Sequence, residues 1–226
     1  MKIRKQTENT HPFIVENGGA IFIPKGDLLL ESDLAEELTK DNKKNSEYRI
    51  IEMGTSYARL RDVLSQIKNR FPGKVEGFGD LTAKEVATLC KLSSDQALLA
   101  KHREYDEPFI LEDEDLLGEI QEIAKHAGLQ VTRGGRFYHL VGGNDKGQAV
   151  LRLIDIYRQK YGTVRSIALG DSLNDLPMLA AVDIPVLLPK PDGRYNSSFI
   201  FDGLFFAKDA GPSGWKDAVL KIINDS

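Results

Sequence analysis

Two aspartates four residues apart, in the run Ile167-Ala168-Leu169-Gly170-Asp171-Ser172-Leu173-Asn174-Asp175, are the residues of this chain best suited to do chemistry. An apolar strand ending in glycine delivers two carboxylates and an amide to the point where a helix is about to start. In an open parallel sheet, ligands bind outside the carboxyl ends of the strands, where such a loop lies. Asp171, Asn174 and Asp175 are hard oxygen donors. Mg²⁺ takes one or two carboxylates of this kind and keeps several waters. An aspartate before a helix also serves as a cap by accepting backbone N–H groups, so the loop alone leaves a cation site and a cap both open.

Lys146 tilts that balance. It opens a helix after the polar turn Gly142-Gly143-Asn144-Asp145, where its ammonium can neutralise a phosphoryl oxygen as a point charge. The helix N-terminus adds a favourable dipole for an anion. A lone lysine is ordinarily a solvated surface cation; one paired with the aspartate loop reads as part of a phosphoryl site. Arg133-Gly134-Gly135-Arg136 is a second anion candidate, since glycines allow close backbone approach and arginines bind carboxylate or phosphate bidentately. The same four residues also suit a plain hairpin turn with exposed arginines. Arg103-Glu104-Tyr105-Asp106-Glu107 is a weaker polar cluster. Gly170-Asp171-Ser172-Leu173 also spells a serine-hydrolase signature, in which Ser172 would need a histidine base. That family places its signature near the N-terminus and its Asp-His partners near the C-terminus. Here His11, His102, His126 and His139 all precede Ser172, and the esterase reading is set aside.

The elements that must hold these residues follow from periodicity. Phe13 to Pro24 reads as two strands around an Asn17-Gly18-Gly19 turn, whose residues tolerate positive φ. Glu36 to Arg49 is polar and lysine-rich, a linker or an exposed edge. Helical spacing runs from Tyr57 to Phe71, and Thr82 to Glu85 has capping-box form. A helix around Gln96 to Lys101 leads to a strand over Glu107 to Leu111. Glu112 to Asp115 are acidic residues at the start of a helix over Leu116 to His126, favoured there by the macrodipole. Strands at Gln130 to Thr132 and Phe137 to Val141 flank the glycine-arginine turn. From Lys146 onward the texture is alternating: helix to Tyr161, strand Val164 to Leu169, helix Leu176 to Ala181, strand Ile184 to Leu188, a strand near Phe205 to Ala207 and a helix over Trp215 to Ile223. That alternation predicts a parallel α/β core. The core is expected to comprise residues 1–24 and 141–226, with an α+β insert over 25–140.

The 226 residues carry a net charge of −4, 41% hydrophobic residues and one cysteine. An acidic balance excludes a nucleic-acid footprint, and a single cysteine, Cys90, excludes an internal disulfide framework. No apolar run reaches the roughly 18 residues that cross a bilayer, and a soluble cytoplasmic protein with no membrane partner is expected.

Lys146 followed by Gly170-Asp171-Ser172-Leu173-Asn174-Asp175 resembles the third and fourth motifs of haloacid dehalogenase-like phosphatases. Pro12 to Gly19, Arg103-Glu104-Tyr105 with Glu107-Pro108-Phe109, Gly134 to Leu140 and Gly211 to Trp215 narrow the resemblance to their mannosyl-3-phosphoglycerate phosphatase family, over nearly the whole chain. The resemblance implies a Rossmannoid α/β core with an inserted cap, and Mg²⁺-dependent release of phosphate from mannosyl-3-phosphoglycerate, with glucosyl-3-phosphoglycerate as a second substrate. Carried over, Asp171 is the metal-binding aspartate supported by Asn174 and Asp175, and Lys146 steadies the phosphoryl group. Arg133, Gly134, Gly135 and Arg136, with Asn17 and Gly18, grip the phosphosugar.

One departure stands out. The family's nucleophile lies in an Asp-x-Asp-x-Thr strand at the N-terminus, with a Ser or Thr after the next strand. Met1 to Pro12 hold no aspartate, and Thr7 and Thr10 follow no apolar strand. A strand–helix–strand unit of roughly 30 or more residues is therefore expected to be missing, and this polypeptide to be inactive and poorly stable alone. A remnant that binds phosphosugar or a partner without turnover, and a related sugar-phosphate phosphatase, are the alternatives.

Overall fold

The computed structural model describes residue 4 and residues 7–27, 47–134, 136–198 and 201–225. Gly135 and the polar stretch from Glu36 through residue 46 lie outside the described residues. In chain order the elements are β1 (Phe13–Val15), β2 (Ala20–Pro24), β3 (Tyr48–Glu52), α1 (Tyr57–Arg70), β4 (Val75–Gly77), α2 (Ala83–Cys90), α3 (Ser94–Lys101) and β5 (Asp106–Leu111). Then come α4 (Leu117–His126), β6 (Gln130–Gly134), β7 (Phe137–Val141), α5 (Lys146–Tyr161), β8 (Ile167–Gly170), α6 (Leu176–Ala180), β9 (Ile184–Leu187), β10 (Phe205–Phe206) and α7 (Gly211–Asn224).

The chain divides into two compact units. Residues 1–14, 21–51 and 145–226 make the first, and residues 15–20 and 52–144 the second. After β2 the chain stays in the first unit through Ile51, since Tyr48–Glu52 forms β3, the neighbour of β2 in a sheet ordered β1-β2-β3. Phe13 stacks on Phe22 at 5.2 Å and meets Tyr48 edge-on at 5.6 Å, so three aromatics hold that sheet together.

The first unit also carries a sheet ordered β10-β9-β8, parallel at both pairings. Its strands are short runs of Ile, Val, Leu and Ala. Ala168, Leu179 and Leu187 form one buried cluster, and Ile184, Val186, Ala207 and Ile222 another. Strand β8 starts at Ile167 rather than Val164. Helix α7 begins at Gly211 rather than Trp215, because Pro212 suits the first turn of a helix, where no backbone N–H is needed.

The second unit is an antiparallel four-stranded sheet, ordered β4-β5-β7-β6, covered on one face by α1 and α4. Leu60, Val63, Leu64 and Ile67 of α1 and Ile120 and Ala124 of α4 bury against Phe109, Leu111, Tyr138 and Leu140. Period-2 alternation sends Asp106, Pro108, His139 and Thr132 to the opposite face, consistent with the pairings Pro108↔His139 and Thr132↔His139. Capping boxes start α2 (Thr82 with Glu85) and α3 (Ser93 with Gln96). The acidic run at 112–115 is a helix start: Asp113 Oδ1 accepts from the Asp115 N–H at 3.3 Å.

Candidate active site

The aspartate loop and Lys146 meet within the first unit. Asp175 is 8% exposed and is the organiser. Its Oδ2 accepts the backbone N–H of Asp171 at 3.2 Å and of Ser172 at 3.1 Å, and its Oδ1 accepts Lys146 Nζ at 2.5 Å. The sequence arranges this through two glycines and a cap. Asp145 Oδ1 accepts the Gln148 N–H at 2.8 Å and fixes where α5 starts, so that Lys146 is its first residue. Gly147 lies against the backbone carbonyl of Pro177, in space a Cβ would occupy. At the loop itself, a Cβ on Gly170 would come within 2.5 Å of the Asp175 Cβ.

Asp171 is half-buried, and its Oδ1 accepts Ser172 Oγ at 2.8 Å. Asn174 sits in the single turn Leu173–Asp175 that leads into α6. The two aspartates therefore differ in kind. Asp175 already carries three donors, whereas the second oxygen of Asp171 has no hydrogen bond among the described residues. Among the described residues no group of three or more His, Cys, Asp or Glu side chains is gathered to hold a metal ion. What the loop offers a cation is one carboxylate, which suits an ion that keeps most of its waters. Ser172 is spent on Asp171, and no described histidine bonds to it, so the esterase arrangement is absent among the described residues.

A second polar cluster lies in the second unit and joins Asn17 and the run Arg103 to Glu107 to His139, a link the spacing of motifs did not single out. Asp106 is 1% exposed, and both its oxygens lie 2.9 Å from His139 Nδ1. Asn17 Nδ2 donates to Asp106 Oδ2 at 3.3 Å, and Arg103 Nη1 reaches the same oxygen at 3.4 Å. Asn144 Nδ2 in turn donates to the Asn17 carbonyl at 3.4 Å. The Asn-Gly turn holds this together at a conformational cost, since Glu16, Asn17 and Gly18 all have positive φ (48°, 54° and 88°). Glutamate rarely adopts that region. It is held there because its carboxylate accepts the N–H groups of Glu104 and Tyr105, the latter at 2.7 Å. Burial raises the Glu16 carboxyl above its usual range, against the opposing pull of those two N–H groups. Next along β5, fully buried Glu107 accepts Arg61 at 2.6 Å and the Gly79 N–H at 3.0 Å.

The signal for this cluster was present but faint. Asp106-Glu107 are acids opening an apolar strand, and His139 is the one polar residue of Phe137-Tyr138-His139-Leu140-Val141. The arginines of the glycine turn have other partners. Arg133 lies on the helix-covered face of the sheet, paired with Glu114 at 3.1 Å and with its guanidinium 5.1 Å from the Tyr138 ring centroid. Arg136 donates to the Leu89 carbonyl at 2.9 Å. Gly134 ends β6 opposite Phe137.

The family model for haloacid dehalogenase-like hydrolases matches residues 1–189. A Methanococcoides burtonii protein named glucosyl-3-phosphoglycerate/mannosyl-3-phosphoglycerate phosphatase is 49% identical over 219 residues, covering 96% of this chain and 78% of that protein. A Persephonella marina protein of the same name is 41% identical over 225 residues, covering 99% and 80%. The crystal structure of Thermoplasma acidophilum protein 0175 superposes with a TM-score of 0.62 at 16% identity, covering 97% of this chain and 76% of that one, which is a likeness of fold. By its matched family model and these relatives, the chain belongs to the haloacid dehalogenase-like hydrolases.

Proposed function

We propose that the chain binds the phosphoester of a glycosyl-3-phosphoglycerate, mannosyl or glucosyl, as part of a Mg²⁺-dependent phosphatase. The observation that carries this is the Lys146–Asp175 pair at 2.5 Å, tied through two backbone N–H groups to the loop bearing Asp171. It is joined by the name shared by the two relatives. Lys146 spends one of its three ammonium donors on Asp175 and has two for phosphoryl oxygens. Asp175 fixes the ammonium and shapes the loop. Asp171 supplies the carboxylate that a Mg²⁺ ion would use. That ion, when bound, neutralises charge on the phosphoryl oxygens. Arg133 and Arg136 are engaged with Glu114 and Leu89, so the reading rests on Lys146 and Asp171.

Phosphate transfer through an enzyme carboxylate also needs a nucleophile and a general acid. No Asp-x-Asp-x-Thr occurs in these 226 residues. A polypeptide of these residues is therefore expected to bind mannosyl-3-phosphoglycerate in a Mg²⁺-dependent manner without turning it over. Calorimetric titration in Mg²⁺ and in EDTA checks the first half, and a phosphate-release assay the second. Lys146→Met should weaken binding about tenfold or more, as loss of a charge-assisted contact does. Absence of Mg²⁺-dependent binding would overturn the reading, and measurable turnover would overturn the expectation of inertness.

A further inference from the structure

Ser172 stands in the aspartate loop yet has no part in the phosphoryl reading, and its place there is set by its backbone. Its N–H donates to Asp175 Oδ2 at 3.1 Å, and its carbonyl accepts the Asp175 N–H at 2.7 Å. The hydroxyl does something else: Oγ donates to Asp171 Oδ1 at 2.8 Å. Asp171 and Ser172 are both half-buried, and the whole loop lies in the first unit. Asp171 is anchored in turn, its own N–H donating to Asp175 Oδ2 at 3.2 Å. The two oxygens of its carboxylate are thus unequal. Oδ1 carries the Ser172 hydrogen bond, and among the described residues Oδ2 carries none. That inequality bears on which ion the carboxylate accepts. Mg²⁺ keeps a near-octahedral shell with several waters, for which one carboxylate oxygen is enough. Ca²⁺ has a larger and looser shell and takes carboxylates through one oxygen or through both. To offer Oδ1 as a second ligand atom, Asp171 must give up a hydrogen bond to a charged acceptor, one of the stronger kinds in a protein.

We propose that Ser172 is a positioning residue that confines Asp171 to one ligand oxygen and so selects Mg²⁺ over Ca²⁺. The hydroxyl leaves single-oxygen contact through Oδ2 untouched and opposes two-oxygen contact, so it weighs against Ca²⁺ alone. Ser172 acts through Asp171 and touches neither the phosphoester nor a reacting atom. As a statement about metal choice, this role rests on the phosphatase reading above, which supplies the ion.

The test titrates the 226-residue chain calorimetrically with mannosyl-3-phosphoglycerate in Mg²⁺ and, separately, in the same concentration of Ca²⁺. The ratio of the two dissociation constants is the quantity read, because chelation of either ion by the free phosphoester is the same for every variant. The parent is expected to bind more tightly in Mg²⁺. Ser172→Ala frees Oδ1 while keeping the backbone bonds of the loop. It should shift the ratio about tenfold toward Ca²⁺, as loss of one charge-assisted hydrogen bond does. Ser172→Thr keeps a hydroxyl on an extended backbone that suits a β-branched side chain (φ −122°, ψ 150°), and should keep the parent ratio. A hydroxyl that merely held the loop in shape would, on removal, weaken binding in both ions together and leave the ratio alone. Should Ser172→Ala fail to fold, Ser172→Cys puts a weak thiol donor in place of the hydroxyl and should move the ratio the same way. An unchanged ratio in the folded variant, or a parent that binds equally well in the two ions, would overturn the role of Ser172 and spare the phosphatase reading. Binding in the parent that owes nothing to either ion would overturn that reading, and the selection with it.

Discussion

Asp171 and Asp175 look alike in sequence and do different work. Asp175 is nearly buried, and each of its oxygens faces donors: an ammonium on one side and two backbone N–H groups on the other. An amide cannot replace it, because one end of an asparagine would present N–H groups to N–H groups. Asp175→Asn is therefore expected to destabilise the protein by about 1–3 kcal/mol, the cost of leaving buried polar groups unpaired. Asp171 is half-buried, and among the described residues its carboxylate has the Ser172 hydroxyl as its one hydrogen-bonded partner. Asp171→Asn keeps that acceptor and should change stability by no more than about 0.5 kcal/mol, while abolishing the Mg²⁺ dependence of phosphoester binding. Urea unfolding of both variants, set beside calorimetry with and without Mg²⁺, separates the organiser from the ligand. Equal losses of stability in the two would contradict the division of labour.

At the scale of elements, the site depends on how closely α5 can approach α6. Gly147 follows Lys146 directly, and its missing side chain is where the Pro177 carbonyl sits. An alanine there has backbone for a neighbour rather than a yielding side chain, so α5 must shift and carry Lys146 with it. Gly147→Ala should cost about 1–3 kcal/mol, as overpacking does, and should lengthen the Lys146–Asp175 contact. A lower thermal midpoint together with weaker phosphoester binding is the expected pair of results. Most of these elements were legible in the sequence. Lys146–Tyr161 and the capping boxes at Thr82 and Ser93 are local signals, carried by side chains within one turn of each other. The aspartate loop was legible for the same reason. Asp106 with His139, and Asp106 with Asn17, are separated by 33 and 89 positions. Nothing local to either announces such a partner, because the first pairing is made by the register of β5 on β7 and the second by the turn at Glu16–Gly18. The orientation of Arg133 is set in the same way: strand alternation turns it to the Tyr138 side of the sheet.

Acid stability is a property of the whole molecule, and two carboxyls pull it in opposite directions. Burial alone would raise the Asp80 carboxyl, but hydrogen bonds from Arg61, Lys68 and the Gly77 N–H outweigh it and hold the group down at about 2. Its usual value is 3.8. As the pH falls below about 4, the unfolded chain takes up a proton at this residue before the folded one does. The contribution of Asp80 is thus fully present above that range and is lost as the pH drops through about 2. Glu16 has the contrary sign. Its carboxyl is raised above 4.5 by burial, so the folded protein holds that proton longer than the unfolded chain. Stability then falls as the pH rises through the interval just above 4.5. The expected profile of unfolding free energy therefore climbs steeply from about pH 2 to about pH 4 and then bends over. Asp80→Asn removes the titrating group but keeps an oxygen for Arg61, so the climb at low pH should flatten while the bend above it stays. Urea titrations at a series of pH values measure both slopes, and a climb of unchanged steepness in Asp80→Asn would assign the acid sensitivity to other carboxylates.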